Sequence, residues 1–378
     1  DPMAARYLES DPMGLAGGLN PYSYVDGNPL MATDPLGLIL FAFDGTNNGD
    51  PPPGNYDYSN VVKFFDRYDD GLAWYMTGVG LDDKESGIKS NRADPFDANT
   101  ARARVDYMLG QLESYLSERQ PGEIVDIDVV GFSRGAAMAR DFVNHVADRK
   151  AADVWSQRGL CVNLRFLGLW DTVAQFGLAG EDNERWRLGI PASVGAAFHA
   201  VALNEHRLLF PLEAATGSRV IERGFLGDHS DVGGGNAEGD LSNISLVWMF
   251  KMAQQSGLQM LPLPDDSRRV VEPILHQRRI DGDAERTFAL TGNPVDRVGD
   301  AHRWVRVRDS GGQVVSESWQ RDMTFGGLTW AGTMPFIIPH RLRRFDADGQ
   351  PTLVGVVDME AYAAWLASNY GTDLGVPE

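Results

Sequence analysis

The chain has 378 residues, 43% hydrophobic and 10% aromatic, with a formal charge of −19. That apolar content is enough for one large domain or two ordinary ones and excludes general disorder. The acidic balance excludes a bare nucleic-acid backbone as partner and simple adhesion to anionic lipid, because the attraction that drives both becomes repulsion. The single cysteine, Cys161, rules out an internal disulfide framework and a multi-cysteine metal site. Standing at the head of an apolar strand pattern, it is expected in the core. No apolar run approaches the roughly 18 residues that span a bilayer. No signal peptide with a basic region and an apolar segment is expected at the N-terminus, so export would follow another route.

Residues 1–38 are rich in Gly, Pro, Asn and Tyr and contain two related blocks, Asp11-Pro12-Met13-Gly14-Leu15 and Asp34-Pro35-Leu36-Gly37-Leu38. Proline fixes φ and glycine supplies a positive-φ position, so such blocks mark tight turns. The whole stretch RYLESDPMGLAGGLNPYSYVDGNPLMATDPLGL closely resembles the end of the Rhs repeat-associated core, the piece that joins an Rhs shell to its C-terminal toxin. The resemblance implies that Asp11 and Asp34 form an aspartyl-protease-like pair that cuts between Leu38 and Ile39. Two carboxylates that share a proton can serve as acid and base around one water.

From Ile39 the composition becomes that of a globular enzyme. Leu38 to Phe43 reads as a strand buried on both faces, ending in Asp44-Gly45-Thr46-Asn47-Asn48. A dehalogenase-type phosphatase would need an aspartate where Ala42 stands. A short helix is expected over 59–68, a strand over 72–79, a polar surface loop over 81–99 and a helix over 101–118, with Val105, Met108, Leu109, Leu112 and Leu116 on one face. Glu123 to Arg140 reads as strand, sharp turn and helix around Gly131-Phe132-Ser133-Arg134-Gly135. Further strands are expected over 160–170 and 219–225, a helical stretch within 192–210 and a helix over 241–255. Beyond 263 the pattern weakens, with short strands near 304–307 and 353–357 and a last helix near 359–369. The alternation predicts an α/β fold with a mainly parallel sheet flanked by helices. Three stretches follow: the turn-rich segment 1–38, a catalytic core over 39–262, and a C-terminal cap or appended subdomain over 263–378 that could complete the core.

In a chain with 42 glycines a chance G-x-S-x-G pattern has odds of roughly one in four. The strand–turn–helix setting is what singles out Ser133 as a nucleophile. A serine hydroxyl needs a base, and the base needs a carboxylate to orient it. Of seven histidines, His229 has the best context, following a strand and preceding three glycines. His145, His199 and His206 fall on predicted helices, His276 and His302 are flanked by arginines, and His340 is the chief rival because a triad histidine often comes late. Asp171, at the end of a buried-type strand, leads among the acids, with Asp231 second and Asp228 expected to face solvent. The oxyanion donors are expected at the Arg134 backbone N–H and in the Gly45–Thr46 loop.

Five blocks, FDGTNN, GFSRGA, GLWDTV, FHAVALNEHR and GDHSDVGGG followed by LSNISLVWMF, resemble in that order the catalytic domain of the first family of type VI secretion phospholipase effectors, an α/β-hydrolase. The resemblance implies a triad of Ser133, Asp171 and His229 that hydrolyses acyl esters of glycerophospholipids, without metal or other cofactor. With the Rhs segment it implies an antibacterial toxin made in the producer cytoplasm and delivered into a target cell, at its periplasm or membrane surface. Its expected partners are a phospholipid membrane, the Rhs shell of the same precursor, a cognate immunity protein and a secretion chaperone. The alternatives are a serine hydrolase acting on a non-lipid ester or amide, an inactive hydrolase fold used for binding, and a metal-dependent hydrolase built on Asp44, Asp171, His229 and Asp231.

Overall fold

The computed structural model describes residues 37–177, 180–207, 209–278, 303–320, 322–325, 328–331, 337–345 and 351–370. Asp11, Asp34 and His302 lie outside the described residues, whereas Leu38 and Ile39 open the first strand.

That strand, β1 (Leu38–Phe43), sends Ile39, Phe41 and Phe43 into one apolar cluster and Leu40 and Ala42 into another. Side chains of a strand alternate between faces, so a strand covered on both sides has to be apolar throughout. The chain continues through α1 (Asn60–Phe65), β2 (Leu72–Met76), α2 (Asp94–Asp97) and α3 (Ala101–Ser117). The Ser59 hydroxyl caps α1 by accepting from the Val62 N–H at 3.3 Å. In α3 the five apolar residues picked out by helical spacing are all buried. Next come β3 (Ile124–Phe132), α4 (Arg134–Ala151), β4 (Cys161–Trp170), β5 (Val194–Ala202), β6 (Leu212–Ala215) and β7 (Val220–Phe225). They are followed by α5 (His229–Gly233), α6 (Ser242–Gln255) and α7 (Asp265–Arg268).

Six strands form one sheet in the order β2-β1-β3-β4-β5-β7, and every neighbouring pair is parallel. Residues of α3 and α4 pack on one face, and residues of α1 and α6 on the other. This is an α/β-hydrolase-like arrangement. The sheet grows outward in opposite directions from β1 and β3, and the crevice at the carboxyl ends of such a reversal is where open α/β sheets bind ligands.

Three expectations are corrected. The stretch 192–210 holds strand β5, not a helix: its alanines favour helix in isolation, but Ala197, Ala200 and Ala202 are buried where β5 lies between β4 and β7, and pairing on both sides overrides propensity. Cys161 is exposed, because the alternation of β4 turns Val162 and Leu164 inward instead. The loop 81–99 contains α2, and its Asp94 is fully buried, accepting from the Gly80 N–H and the Thr100 hydroxyl.

The C-terminal part contributes β8 (Ile274–Arg278), β9 (Arg303–Arg308), β10 (Val314–Gln320), β11 (Asp322–Phe325), β12 (Leu328–Ala331), β13 (Ile337–Phe345), β14 (Pro351–Val357) and α8 (Met359–Tyr370). β9 pairs in parallel with β6, and β14 lies between β13 and β8. Tyr362 and Leu366 of α8 share a cluster with Trp248 and Met249 of α6, and the Tyr362 hydroxyl accepts the Leu226 N–H at 3.3 Å. Leu275, Val305 and Val357 belong to the same cluster, so residues after 263 pack against one face of the sheet layer. Among the described residues no helix is long and apolar enough to cross a membrane.

Candidate active site

Ser133 stands between β3 and α4 with φ 57° and ψ −126°, a conformation that costs an ordinary residue energy and persists only where its surroundings impose it. Here the Ser133 N–H donates to the Trp170 carbonyl at 3.0 Å, and its own carbonyl accepts from the Ala137 N–H at 3.2 Å. The two flanking glycines are needed for close approach. A Cβ on Gly135 would sit 2.3 Å from the Phe43 carbonyl oxygen, and one on Gly131 would sit 2.7 Å from that of Gly135. The helix is thereby drawn against the end of β1, and the serine is held at the turn.

The loop after β1 is rigid for a different reason. Asp44 is fully buried and accepts from the Tyr75 hydroxyl at 2.5 Å, the Ser59 hydroxyl at 2.8 Å and the Gly45 N–H at 2.7 Å. Burial pushes its pKa up to about 6 against these hydrogen bonds. The Gly45 N–H is spent on Asp44, against its expected part as an oxyanion donor, while Thr46, Asn47 and Asn48 of that loop line the cavity. The Arg134 side chain braces the same loop, donating from Nε to the Thr46 hydroxyl at 2.7 Å and from Nη1 to the Gln175 carbonyl at 3.4 Å.

Asp171 follows β4, fully buried and with φ 43°. Its Oδ2 lies 2.5 Å from His229 Nδ1, and its Oδ1 accepts the Ala202 N–H at 2.8 Å. The guanidinium of Arg303, on β9, meets the same carboxylate with both ends, Nη1 to Oδ1 at 2.5 Å and Nη2 to Oδ2 at 2.9 Å. Burial alone would raise the pKa of Asp171. The Arg303 charge and the His229 hydrogen bond outweigh it and hold the carboxyl well below the usual range. The next residue is pinned by a second imidazole: the Thr172 N–H donates to His199 Nε2 at 3.0 Å, while His199 Nδ1 lies 2.7 Å from Glu222.

His229 is the first residue of α5, whose N-cap Asp228 forms a capping box with Asp231. Asp228 is fully buried, correcting its expected exposure. Burial and the neighbouring Asp231 charge raise its pKa. Asp231 itself serves this cap and His276: its Oδ1 lies 2.7 Å from His276 Nδ1, and its Oδ2 accepts the His276 N–H at 2.7 Å. The carboxylate brought to His229 is that of Asp171. The His229 ring lies between Phe132 and Phe210, with centroids 4.6 and 5.0 Å away. Burial lowers its pKa, opposed by the hydrogen bond and charge of Asp171. With Nδ1–H directed at Asp171, Nε2 carries the free lone pair.

Ser133 and His229 line one cavity of about 630 Å³, with Thr46, Arg134, Arg207 and Arg278. Its apolar lining includes Phe132, Val173 and Phe210, together with Leu209 and Phe96, which are 49% and 72% exposed. Among the described residues no group of three or more His, Cys, Asp or Glu is placed to hold a metal ion. Of the four residues of the metal alternative, Asp171 and His229 engage each other, while Asp44 is held by Tyr75 and Ser59 and Asp231 by His276. His340 lies on β13 opposite Val354. Sequence reasoning missed Arg303, which sits in the weakly patterned tail and carries no motif. It also passed over Glu205 and Arg207, although both lie inside the quoted block FHAVALNEHR.

Residues 144–252 match the family model described as T6SS, Phospholipase effector Tle1-like, catalytic domain. The match includes Asp171 and His229 and leaves Ser133 and Arg303 outside. A curated relative, Toxin protein Tse5 of Pseudomonas aeruginosa, is 54% identical over 39 residues, covering 10% of this chain and 3% of the toxin. Two solved structures are similar. One, an uncharacterized protein from Pseudomonas aeruginosa, has a TM-score of 0.48 and 23% identity over 61% of this chain and 47% of that one. The other, the Tle1 effector bound to the VgrG spike from the type 6 secretion system, has a TM-score of 0.45 and 20% identity over 60% of this chain and 74% of that one. The chain spans under half the length of the first of these and a small fraction of the toxin.

Proposed function

We propose that this chain is the phospholipase part of an antibacterial type VI secretion toxin and cleaves acyl esters with Ser133, His229 and Asp171. The observation that carries the reading is the joining, at one cavity, of a serine in strained elbow geometry and an imidazole oriented by a buried carboxylate. Ser133 Oγ attacks the ester carbonyl while His229 Nε2 takes its proton. Asp171 stays ionised, fixes the ring and stabilises the imidazolium. Backbone N–H groups of Arg134, at the N-terminus of α4, and of Thr46 receive the oxyanion. His229 then returns the proton to the departing glycerol oxygen, and a water molecule activated by the same imidazole releases the fatty acid. The exposed apolar residues Phe96 and Leu209 at the cavity suit acyl chains.

The N-terminal segment extends the reading to an Rhs precursor in which Asp11 and Asp34 cut between Leu38 and Ile39. The shell of that precursor, a secretion chaperone and a cognate immunity protein are the expected partners, and the membrane surface or periplasm of a rival cell is the expected place of action.

Product analysis on defined diacyl phospholipids, paired with mass spectrometry after a serine-directed fluorophosphonate, tests the core of the proposal. Free fatty acid and an adduct on Ser133 are expected. Labelling without fatty-acid release, alongside turnover of amide or non-lipid ester substrates, would move the assignment to another hydrolase. Absence of both would mark an inactive binding fold. A pH dependence is also expected. Only neutral His229 can accept the serine proton, and its lowered pKa keeps it neutral below its ordinary value near 6.5. The acid limb of kcat/KM on a soluble ester should therefore fall below pH 6.5, and a limb above that value would contradict the burial argument.

A further inference from the structure

The charge of the cavity runs against that of the chain. Among the described residues its lining carries Arg134, Arg207 and Arg278 and no carboxylate, in a protein of formal charge −19. Arg134 braces the loop after β1, and Arg278 donates to the Ser230 hydroxyl at 2.9 Å with Asp228 3.6 Å away.

Arg207 is held in another way. Glu205, 1% exposed, grips it side-on, accepting from Nε at 2.9 Å and from Nη2 at 2.6 Å. The guanidinium carbon lies 3.5 Å from the centroid of the Phe210 ring, which stands at 77° to the His229 ring. A guanidinium has five N–H donors in a rigid fork. Side-on pairing uses two of them and leaves Nη1, which makes no hydrogen bond among the described residues. Glu205 fixes the guanidinium in place: burial would raise the Glu205 pKa, but the Arg207 charge outweighs it and holds the carboxyl well below its usual range. The same carboxylate accepts the His229 N–H at 3.4 Å, so the cation is held in a set relation to the proposed base.

We propose that Arg207 anchors an anion subsite in the cavity that takes the phosphodiester of the substrate lipid and thereby selects phospholipid over neutral glyceride. The inference rests on the ester-hydrolase reading above. A pre-organised guanidinium presenting its end-on donors matches a tetrahedral phosphoryl oxygen pair, and immobilisation by Glu205 removes most of the ordering cost of binding. Arg207 is thus a specificity-determining residue, with Glu205 positioning it.

The test compares dihexanoyl phosphatidylcholine with dihexanoylglycerol, both below their aggregation concentrations, in the wild type, Arg207→Leu, Arg207→Lys and the double variant Glu205→Gln/Arg207→Gln. The double variant removes the buried charge pair together and guards against misfolding caused by a lone Glu205 carboxylate. In Arg207→Leu and the double variant, the ratio of kcat/KM for phospholipid to that for neutral ester should fall roughly ten-fold, mainly through KM, with Arg207→Lys in between. Inorganic phosphate should inhibit neutral-ester hydrolysis competitively in the wild type and more weakly in Arg207→Leu. An unchanged ratio, or equal losses on both substrates, would overturn the subsite. Phosphate inhibition that depends on Arg207 with an unchanged ratio would assign the site to free phosphate and overturn the lipid assignment. A wild type inert on both substrates would overturn this inference and the hydrolase reading together, whereas turnover of both with a ratio insensitive to Arg207 would overturn the subsite alone.

Discussion

Ser133→Ala is expected to lower kcat on a phospholipid or soluble ester by about 10⁴-fold or more, with little change in thermal stability. The substitution removes one oxygen and keeps Cβ, so the strain at φ 57° is the same in both proteins. The hydrogen bonds that hold residue 133 run through its backbone N–H and carbonyl, and alanine keeps them. Loss of activity without loss of fold would assign the nucleophile, measured by fatty-acid release beside a melting curve. Retention of the wild-type rate would sink the proposed mechanism, because the His229–Asp171 pair would then be activating something other than Ser133.

The second large effect is expected at Arg303→Gln. Arg303 and Asp171 are 1% and 0% exposed, and the pair is bidentate. Removing one member of such a pair leaves a charge buried without its counter-charge, which destabilises by roughly 3–5 kcal/mol. The sign with pH follows from Asp171. Its folded pKa is held below the unfolded value, so its contribution to stability is present above the unfolded pKa and is lost as pH falls through the folded pKa. Without Arg303 the folded pKa of Asp171 rises, the contribution shrinks, and the midpoint of acid unfolding, followed by circular dichroism, should move to higher pH. Activity should fall as well, because Asp171 orients His229. An unmoved acid midpoint would show that Arg303 contributes packing and no charge compensation.

The reading of Arg303 changes the meaning of the C-terminal region. Residue 303 lies outside the segment that matches the phospholipase-effector family and in the part of the chain with the weakest pattern, yet its side chain closes the salt bridge behind the proposed triad acid. A truncation after residue 262 would remove that arginine, the partner of β6 and the aromatic anchor Tyr362 at once.

What the sequence by itself determined was local. A continuous apolar run marked β1, because a parallel strand covered on both faces has no polar side to show. Close-approach glycines marked the elbow around Ser133, and a capping serine opened α1 within one residue of its expected start. Failures came where neighbours outweighed local preference: β5, whose alanines suggested helix until β4 and β7 paired with it, and Asp228, whose polar setting suggested solvent until it became a buried cap. The sequence ranked Asp171 first among the acids, but only the tertiary structure brought it to His229 and set Arg303 behind it. These are contacts between residues 58 and 132 positions apart. Periodicity and turn chemistry act over a few residues, whereas a carboxylate finds its partner by the packing of whole elements. The proposed nucleophile could therefore be picked out from five consecutive residues, and the charges placed around the site could not.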